Sequence, residues 1–177
     1  HVRDLSGLEA ITKTLHPLHL FANVINGGLH AGNNLDFQEY LVIPKTKSLS
    51  KAVQITKKIY QELHNELIRS KGSLAVNLGD EGGFAPNFRD NLEPMKIVKK
   101  VVAKLHLSGK IDFGVDAAAN SIKKSPTYLF GLYKELEKQF KIMYIEDPFK
   151  EDDFDNFSKL RTESEKGMLI TGDDLTT

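Results

Sequence analysis

The chain has 177 residues, with 24 Lys and Arg against 24 Asp and Glu, so its formal net charge is zero. This balance argues against nucleic acid or an anionic membrane surface as a partner, because both select proteins with a basic excess. The absence of cysteine excludes disulfide and thiol chemistry, and no apolar run is long enough to cross a bilayer. We therefore expect a globular, cytoplasmic protein.

The first elements along the chain are predicted to be a short helix and two strands. The helix is expected over residues 6–16 and is ended by Pro17. An apolar run at 21–25 leads into the loop NGGLHAGNN, and a second strand-forming run at 37–43 is stopped by Pro44. Because no helix fits between the two runs, they are predicted to pair antiparallel.

Two helices are predicted next, on either side of a glycine-rich stretch. Ser48 or Ser50 is expected to cap the first helix and Asn91 to open the second. The stretch between them, GDEGGFAPN at 79–87, has no helical or strand periodicity and places two acids between glycines. A solvated turn would have this composition, but glycines also let the main chain approach a bound group closely.

The second half of the chain alternates between strand and helix patterns. Short apolar runs at 111–115, 142–145 and 168–170 are separated by helical segments near 129–140 and 153–163. This alternation predicts parallel strands joined by crossover helices. The full order is two strands, two helices and then repeated βα units (ββαα, then βα). It predicts an α/β fold that forms part of an α/β barrel.

Each of the last three predicted strands ends in an acid. Asp116, Glu146 and Asp173 are 30 and 27 residues apart, about one βα unit each. In a barrel the carboxyl ends of the strands converge, so three carboxylates would meet and a divalent cation, best magnesium, would relieve their repulsion. The alternative is that each acid caps the helix after its strand. The residues alone leave both interpretations open.

Six stretches, in order along the chain, resemble the motifs of the enolase family. They are NVINGGLHAGN (23–33), DFQEYLVIP (36–44), GDEGGFAPN (79–87), FGVDAA (113–118), YIEDPF (144–149) and GDDLT (172–176). The resemblance implies that residues 21–177 form the first part of the family's TIM-type barrel, after a lead-in segment at 1–20. It also implies a glycolytic lyase that uses Mg²⁺ to interconvert 2-phosphoglycerate and phosphoenolpyruvate.

The resemblance also assigns roles by position. Glu81 is similar to the family's acid, which protonates the departing hydroxyl, while His30 and Glu39 are similar to substrate-contacting residues. The magnesium ligands would be Asp116, Glu146 and Asp173. An acid in this role must hold a proton near neutral pH, which burial and a neighbouring carboxylate would favour. Without the resemblance, His30 would be interpreted as a turn residue and Glu39 as a solvent-facing strand residue.

The family's catalytic base and its amino-terminal domain have no counterpart in this sequence. The base is a Lys on a later barrel strand, and a full barrel needs about 250 residues. We therefore expect a fragment that does not turn over substrate by itself and that works as a homodimer or with a complementing carboxy-terminal half. The alternative is a non-catalytic, enolase-like protein that binds metal or a partner.

Overall fold

Five strands form a single sheet in the computed structural model, which describes residues 19–176 of the chain. In chain order the strands are β1 (Ala22–Asn26), β2 (Glu39–Pro44), β3 (Ile111–Asp116), β4 (Tyr144–Glu146) and β5 (Leu169–Thr171). They neighbour one another in the same order as they occur in the sequence. The helix predicted over residues 6–16 lies outside the described residues.

The direction of the strands changes partway across the sheet. β1 pairs antiparallel with β2, as predicted, and β2 also pairs antiparallel with β3. β3, β4 and β5 run parallel to one another, and each parallel connection contains a helix, as such crossovers require. The predicted α/β class is therefore confirmed.

Four helices connect these strands. They are α1 (Leu49–Lys71) and α2 (Glu93–Lys104) between β2 and β3, α3 (Pro126–Phe140) between β3 and β4, and α4 (Phe154–Glu163) between β4 and β5. Of the two serines considered as caps of α1, Ser48 has this role, because its hydroxyl accepts the Lys51 N–H at 3.3 Å. Ser50 lies inside the helix.

The start of α2 differs from the prediction. Asp90, and not Asn91, accepts hydrogen bonds from the N–H groups of Leu92 and Glu93, both at 2.8 Å. The Asn91 side chain instead accepts the Asp36 N–H at 2.8 Å and donates to its carboxylate at 2.7 Å. Both residue types are good caps, so a tertiary contact decides between two neighbouring candidates.

The start of α3 also lies outside the predicted range. The apolar periodicity begins at Leu129, but the helix begins at Pro126, where the missing N–H of proline costs nothing. Ser125 caps it by accepting the Tyr128 N–H at 3.2 Å. A cap and a proline therefore extend α3 by one turn beyond the apolar pattern.

One apolar core lies between the sheet and the helices. Alternate strand residues face this core, among them Val24, Val42, Val115 and Ile145, and the helices bury stripes that include Leu63, Met95, Val98, Tyr133 and Leu136. Burying each large apolar side chain stabilises the fold by about 1.5–3 kcal/mol. The core fixes the strands, and with them the positions of the residues at the strand ends.

α1 is the longest helix in the described part of the chain, with 23 residues. Its exposed positions include Lys51, Lys57 and Lys58. No helix within residues 19–176 is both long and apolar enough to cross a membrane.

Candidate active site

One edge of the sheet carries a row of polar side chains at matching register on neighbouring strands. Asn26, the last residue of β1, pairs with Glu39, the first residue of β2. Glu39 pairs with Asp116 at the end of β3, and Asp116 pairs with Glu146 at the end of β4. Because β2 runs opposite to its two neighbours, its first residue lies at the edge where their last residues lie. The sheet thus brings three acids from separate motifs side by side.

Glu81 joins this row from the loop between α1 and α2. Its carboxyl shares a hydrogen bond with that of Glu39. Three side-chain amides also donate to it: Asn26 at 2.8 Å, Gln38 at 3.3 Å and Asn23 at 3.4 Å. We call the set Glu39, Glu81, Asp116 and Glu146 the carboxylate edge.

Of the two conditions that would favour a proton on Glu81, the neighbouring carboxylate is present but burial is not, because its side chain is exposed. Glu39 is instead the more enclosed member of the pair. Burial, the hydrogen bond shared with Glu81 and the charges of Glu81, Asp116 and Glu146 together raise the pKa of Glu39 to about 8. Two carboxylates in contact cannot both be ionised without strong repulsion, so the pair keeps one proton near neutral pH.

Asp116 is subject to the same repulsion. Its side chain is buried, and this burial and the charge of Glu146 are the main causes that raise its pKa to about 7, although the Ala118 N–H donates to its carboxylate at 2.9 Å and opposes the shift. Within residues 19–176, no Lys, Arg or His forms an ion pair with any member of the carboxylate edge. The edge therefore concentrates negative charge that the described side chains do not neutralise.

The three predicted magnesium ligands are only partly brought together. Asp116 and Glu146 are neighbours across the β3–β4 ladder. Asp173 lies exposed in the turn after β5, where its N–H donates to both carboxylate oxygens of Asp147, at 3.1 and 3.2 Å. No three His, Cys, Asp or Glu side chains in the described part of the chain lie close enough together to hold a metal ion. Asp173 as a third ligand stays a prediction.

Asp116 and Glu146 nevertheless fit a magnesium site chemically. Magnesium takes oxygen ligands and usually keeps several waters, so one or two carboxylates are enough to hold it at such an edge. Glu146 also accepts a hydrogen bond from the Tyr144 hydroxyl at 2.7 Å, which in turn accepts from Thr171 at 2.9 Å. Hydrogen bonds of this kind orient a ligand before metal binds.

His30 is placed beside the loop and not on the carboxylate edge. Its Nδ1 lies 3.7 Å from the Asp80 carboxylate, and its carbonyl accepts the Asp80 N–H at 3.0 Å. The residue before Glu81 is therefore tied to the loop after β1. A substrate contact by His30 stays a prediction.

Sequence reasoning assigned no role to the side-chain amides that hold the edge together. Gln38 lies within hydrogen-bonding distance of both Glu81 and Asp116, at 3.3 and 3.4 Å. Asn26 is completely buried, and Asn23 lies two residues into β1. A polar amide at an otherwise apolar strand position is the signal that could have found them.

The comparisons with known proteins agree with this geometry. The description "Enolase, C-terminal TIM barrel domain" fits residues 15–128 and 120–177. Together these matches cover most of the chain, which defines it as part of a TIM-barrel domain. The chain belongs to the enolase family.

Two curated relatives show how much of the length of a family member the chain covers. The enolase of Sulfolobus acidocaldarius is 38% identical over 165 residues, which is 86% of this chain but 39% of the relative. Enolase 2 of Hevea brasiliensis is 36% identical over 196 residues, covering 99% of this chain and 43% of the relative. The chain therefore spans about two fifths of the length of these relatives.

Proposed function

We propose that this chain provides the acid and the metal-binding carboxylates of an enolase active site. The overall reaction would be the magnesium-dependent, reversible dehydration of 2-phosphoglycerate to phosphoenolpyruvate. The observation that carries the proposal is the hydrogen-bonded pair Glu39–Glu81 next to Asp116 and Glu146 in register. The two roles are separated, because Glu39 and Glu81 share a proton whereas Asp116 and Glu146 present oxygen ligands.

The proton-sharing pair suits general acid catalysis. Hydroxide is a poor leaving group, so the carbon–oxygen bond breaks only if a proton reaches the departing oxygen. The shared proton would pass from Glu39 to exposed Glu81 and from Glu81 to that oxygen, and the electron pair of the broken bond would leave with the oxygen as water. The raised pKa of Glu39 keeps that proton available near neutral pH.

The metal ligands would act on the other end of the substrate. Asp116 and Glu146, with Asp173 as the proposed third ligand, would hold magnesium, which would supply positive charge where the substrate carboxylate gains negative charge. Asp116 and Glu146 lie next to Glu39 because the three residues occupy neighbouring strands of one sheet. His30 would contact the substrate from the loop after β1.

We also propose that residues 21–177 form the first part of a closed barrel, with residues 1–20 leading into it. Five strands make up the described sheet, and a closed TIM barrel has eight. The remaining strands and a Lys base for the substrate's carbon-bound proton would come from a complementing carboxy-terminal half, either in the same assembly or supplied by a second chain. The site would then be complete and enclosed by the barrel. The assembly would work in the cytoplasm.

The test is an activity assay on the purified chain with magnesium and 2-phosphoglycerate, following the ultraviolet absorbance of phosphoenolpyruvate. The same assay is then run after mixing with a separately made carboxy-terminal barrel half of the Hevea brasiliensis relative. We expect no turnover from the chain alone and magnesium-dependent turnover from the mixture. Turnover by the chain alone would require a base within it, with Lys123 and Lys124 the first to examine. A mixture that associates but stays inactive would support a non-catalytic, metal-binding role.

A further inference from the structure

Asn26 is an uncharged side chain at the centre of an acidic site, and it has no exposed surface. It ends β1, opposite Glu39. Its main chain is fully engaged, since its N–H donates to the Phe84 carbonyl at 3.0 Å and its carbonyl accepts from the Asn33 side chain at 3.0 Å. The backbone therefore holds Asn26 in one place and leaves its side chain to contact the loop.

Every polar atom of the Asn26 side chain also has a partner. Its Nδ2 donates to the Glu81 carboxylate at 2.8 Å and to the Gln38 carbonyl at 3.2 Å. Its Oδ1 accepts the Gly83 N–H at 2.9 Å. One amide thus contacts the carboxylate of Glu81 and the main chain two residues later, which sets both the loop and its side chain relative to the sheet.

Gly79 and Gly83, which lie two residues before and two residues after Glu81, are explained by their contact with Asn26. A Cβ at Gly79 would lie 2.7 Å from the Cβ of Asn26, and a Cβ at Gly83 would lie 2.7 Å from its main-chain nitrogen. Neither approach is sterically tolerable, so only glycine lets the loop close around Asn26. The GDEGG sequence is therefore shaped by Asn26 as well as by any bound group.

Asn26 makes the shortest of the three amide contacts to Glu81. The contacts from Gln38 and Asn23 are 3.3 and 3.4 Å long, and both are exposed to solvent. Because Glu81 itself is exposed, few packing contacts restrict its rotamers. A buried donor at 2.8 Å is the strongest restraint on where its carboxylate points.

We propose that Asn26 is the positioning residue for Glu81, holding the carboxylate at the strand edge in the orientation from which it acts. The inference rests on the proposed function for its catalytic consequence. The contact itself can be tested in the chain without any activity. A displacement of about 1 Å in a reacting group can cost about 10²-fold in rate, so loss of this restraint is expected to lower kcat.

The contact is tested first by NMR of the 177-residue chain. The side-chain amide resonances of Asn26 are assigned from the Asn26→Asp variant, in which they are missing. Glu81→Ala is expected to shift these resonances more than it shifts those of Asn34, which binds the main chain of Phe88 through both its amide atoms and does not contact Glu81. Equal shifts, or no shift at Asn26, would overturn the proposal whatever the enzyme assay shows.

The catalytic role is tested by a double-mutant cycle in the mixed, active assembly. Asn26→Ala is expected to lower kcat about 10²-fold with little change in KM, but to have an effect of less than about 3-fold when Glu81 is already Gln. A residue that only stabilises the loop would reduce the rate by the same factor in both backgrounds, and that result would overturn the proposal. Asn34→Ala is the matched control, since it also deletes two hydrogen bonds from a side-chain amide to the main chain.

An inactive wild-type assembly would count against the proposed function alone, because the NMR comparison still decides whether Asn26 holds Glu81. An active assembly whose rate is unaffected by Asn26→Ala would count against the positioning role alone. The thermal unfolding of Asn26→Ala and Asn34→Ala in the chain shows whether both variants are folded. If Asn26→Ala does not fold, Asn26→Asp, which keeps the size of the side chain, replaces it in the cycle.

Discussion

Acids are buried in two regions of this molecule, and the two regions treat their charge in opposite ways. In the helical layer, Glu66 is 3% exposed and contacts both Lys100 and Arg69. Glu93 is likewise buried and lies 3.2 Å from Lys71. Each buried carboxylate between α1 and α2 therefore has a cation beside it.

The carboxylate edge has the opposite arrangement. Burial and like charge raise the pKa of Glu39 to about 8 and that of Asp116 to about 7. No Lys, Arg or His of the described residues pairs with them. For Glu93, by contrast, burial raises the pKa, but the Arg89 N–H and Lys71 outweigh it and the net shift is downward.

This difference separates the paired acids of the helical layer from the unpaired acids for which we propose a chemical role. A buried charge with only a structural role is paired with an opposite charge, as in the helical layer. Carboxylates kept together without cations cost stability, and such strain is retained where a proton, metal or substrate will later use it. The comparison predicts opposite effects of substitution in the two regions.

The largest expected effect is on turnover at the carboxylate edge. Glu81→Gln keeps the shape of the side chain but removes the transferable proton, so turnover of the mixed assembly should fall about 10²-fold or more. Asp80→Asn is the control, because Asp80 is the neighbouring acid and its highly exposed carboxylate forms an ion pair with no described residue other than His30. Near-normal turnover of Glu81→Gln, followed by phosphoenolpyruvate absorbance, would contradict the assignment.

The next effect is on stability in the helical layer. Replacing both Lys100 and Arg69 by Met leaves Glu66 buried without a cation, which should lower the free energy of unfolding by about 2 kcal/mol. Adding Glu66→Met to this variant should restore most of the loss, since no unpaired charge then remains. Urea unfolding of the three proteins measures both steps. If Glu66→Met gives no recovery, the cations contribute packing and not charge.

A smaller effect of opposite sign is expected at the carboxylate edge. Asp116→Asn removes repulsion with Glu146 and should raise the free energy of unfolding by about 1 kcal/mol in the presence of EDTA. Magnesium should raise the unfolding temperature of the wild-type chain, because it binds only the folded state. It should have little effect on Asp116→Asn. Equal magnesium responses in the two proteins would place the metal elsewhere.

The sequence was sufficient to predict β3 and β4 and the acids that end them. Asp116 and Glu146 lie at the ends of parallel neighbours, where strand pattern and spacing determine which residues come together. Their proximity follows from local periodicity and from the rules of parallel sheets, and both can be derived from one sequence.

Contacts made by loops were not predictable in the same way. The hydrogen bond between Glu81 and Glu39 depends on how the loop folds around Asn26, which no periodicity encodes. The position of Asp173 depends on the Asp147 carboxylate, which binds its N–H. These residues are close in space only because of contacts between distant parts of the chain, so local patterns cannot place them.

The smallest expected effect concerns acid pH and completes the comparison. Glu93 has a lowered pKa in the folded state, because the Arg89 N–H and Lys71 outweigh the effect of burial. The folded state therefore binds fewer protons than the unfolded state in the acid range. The contribution of Glu93 to stability is present above the ordinary pKa of 4.5 and is lost as pH falls through the lowered value.

Glu93→Gln should be less stable than wild type at pH 6, and the difference should shrink on acidification. Unfolding in urea from pH 6 to pH 3 measures this, with Glu135→Gln, a carboxylate on exposed α3 surface, as control. A difference that is constant with pH would mean that Glu93 stabilises the helix by packing and that its charge contributes nothing.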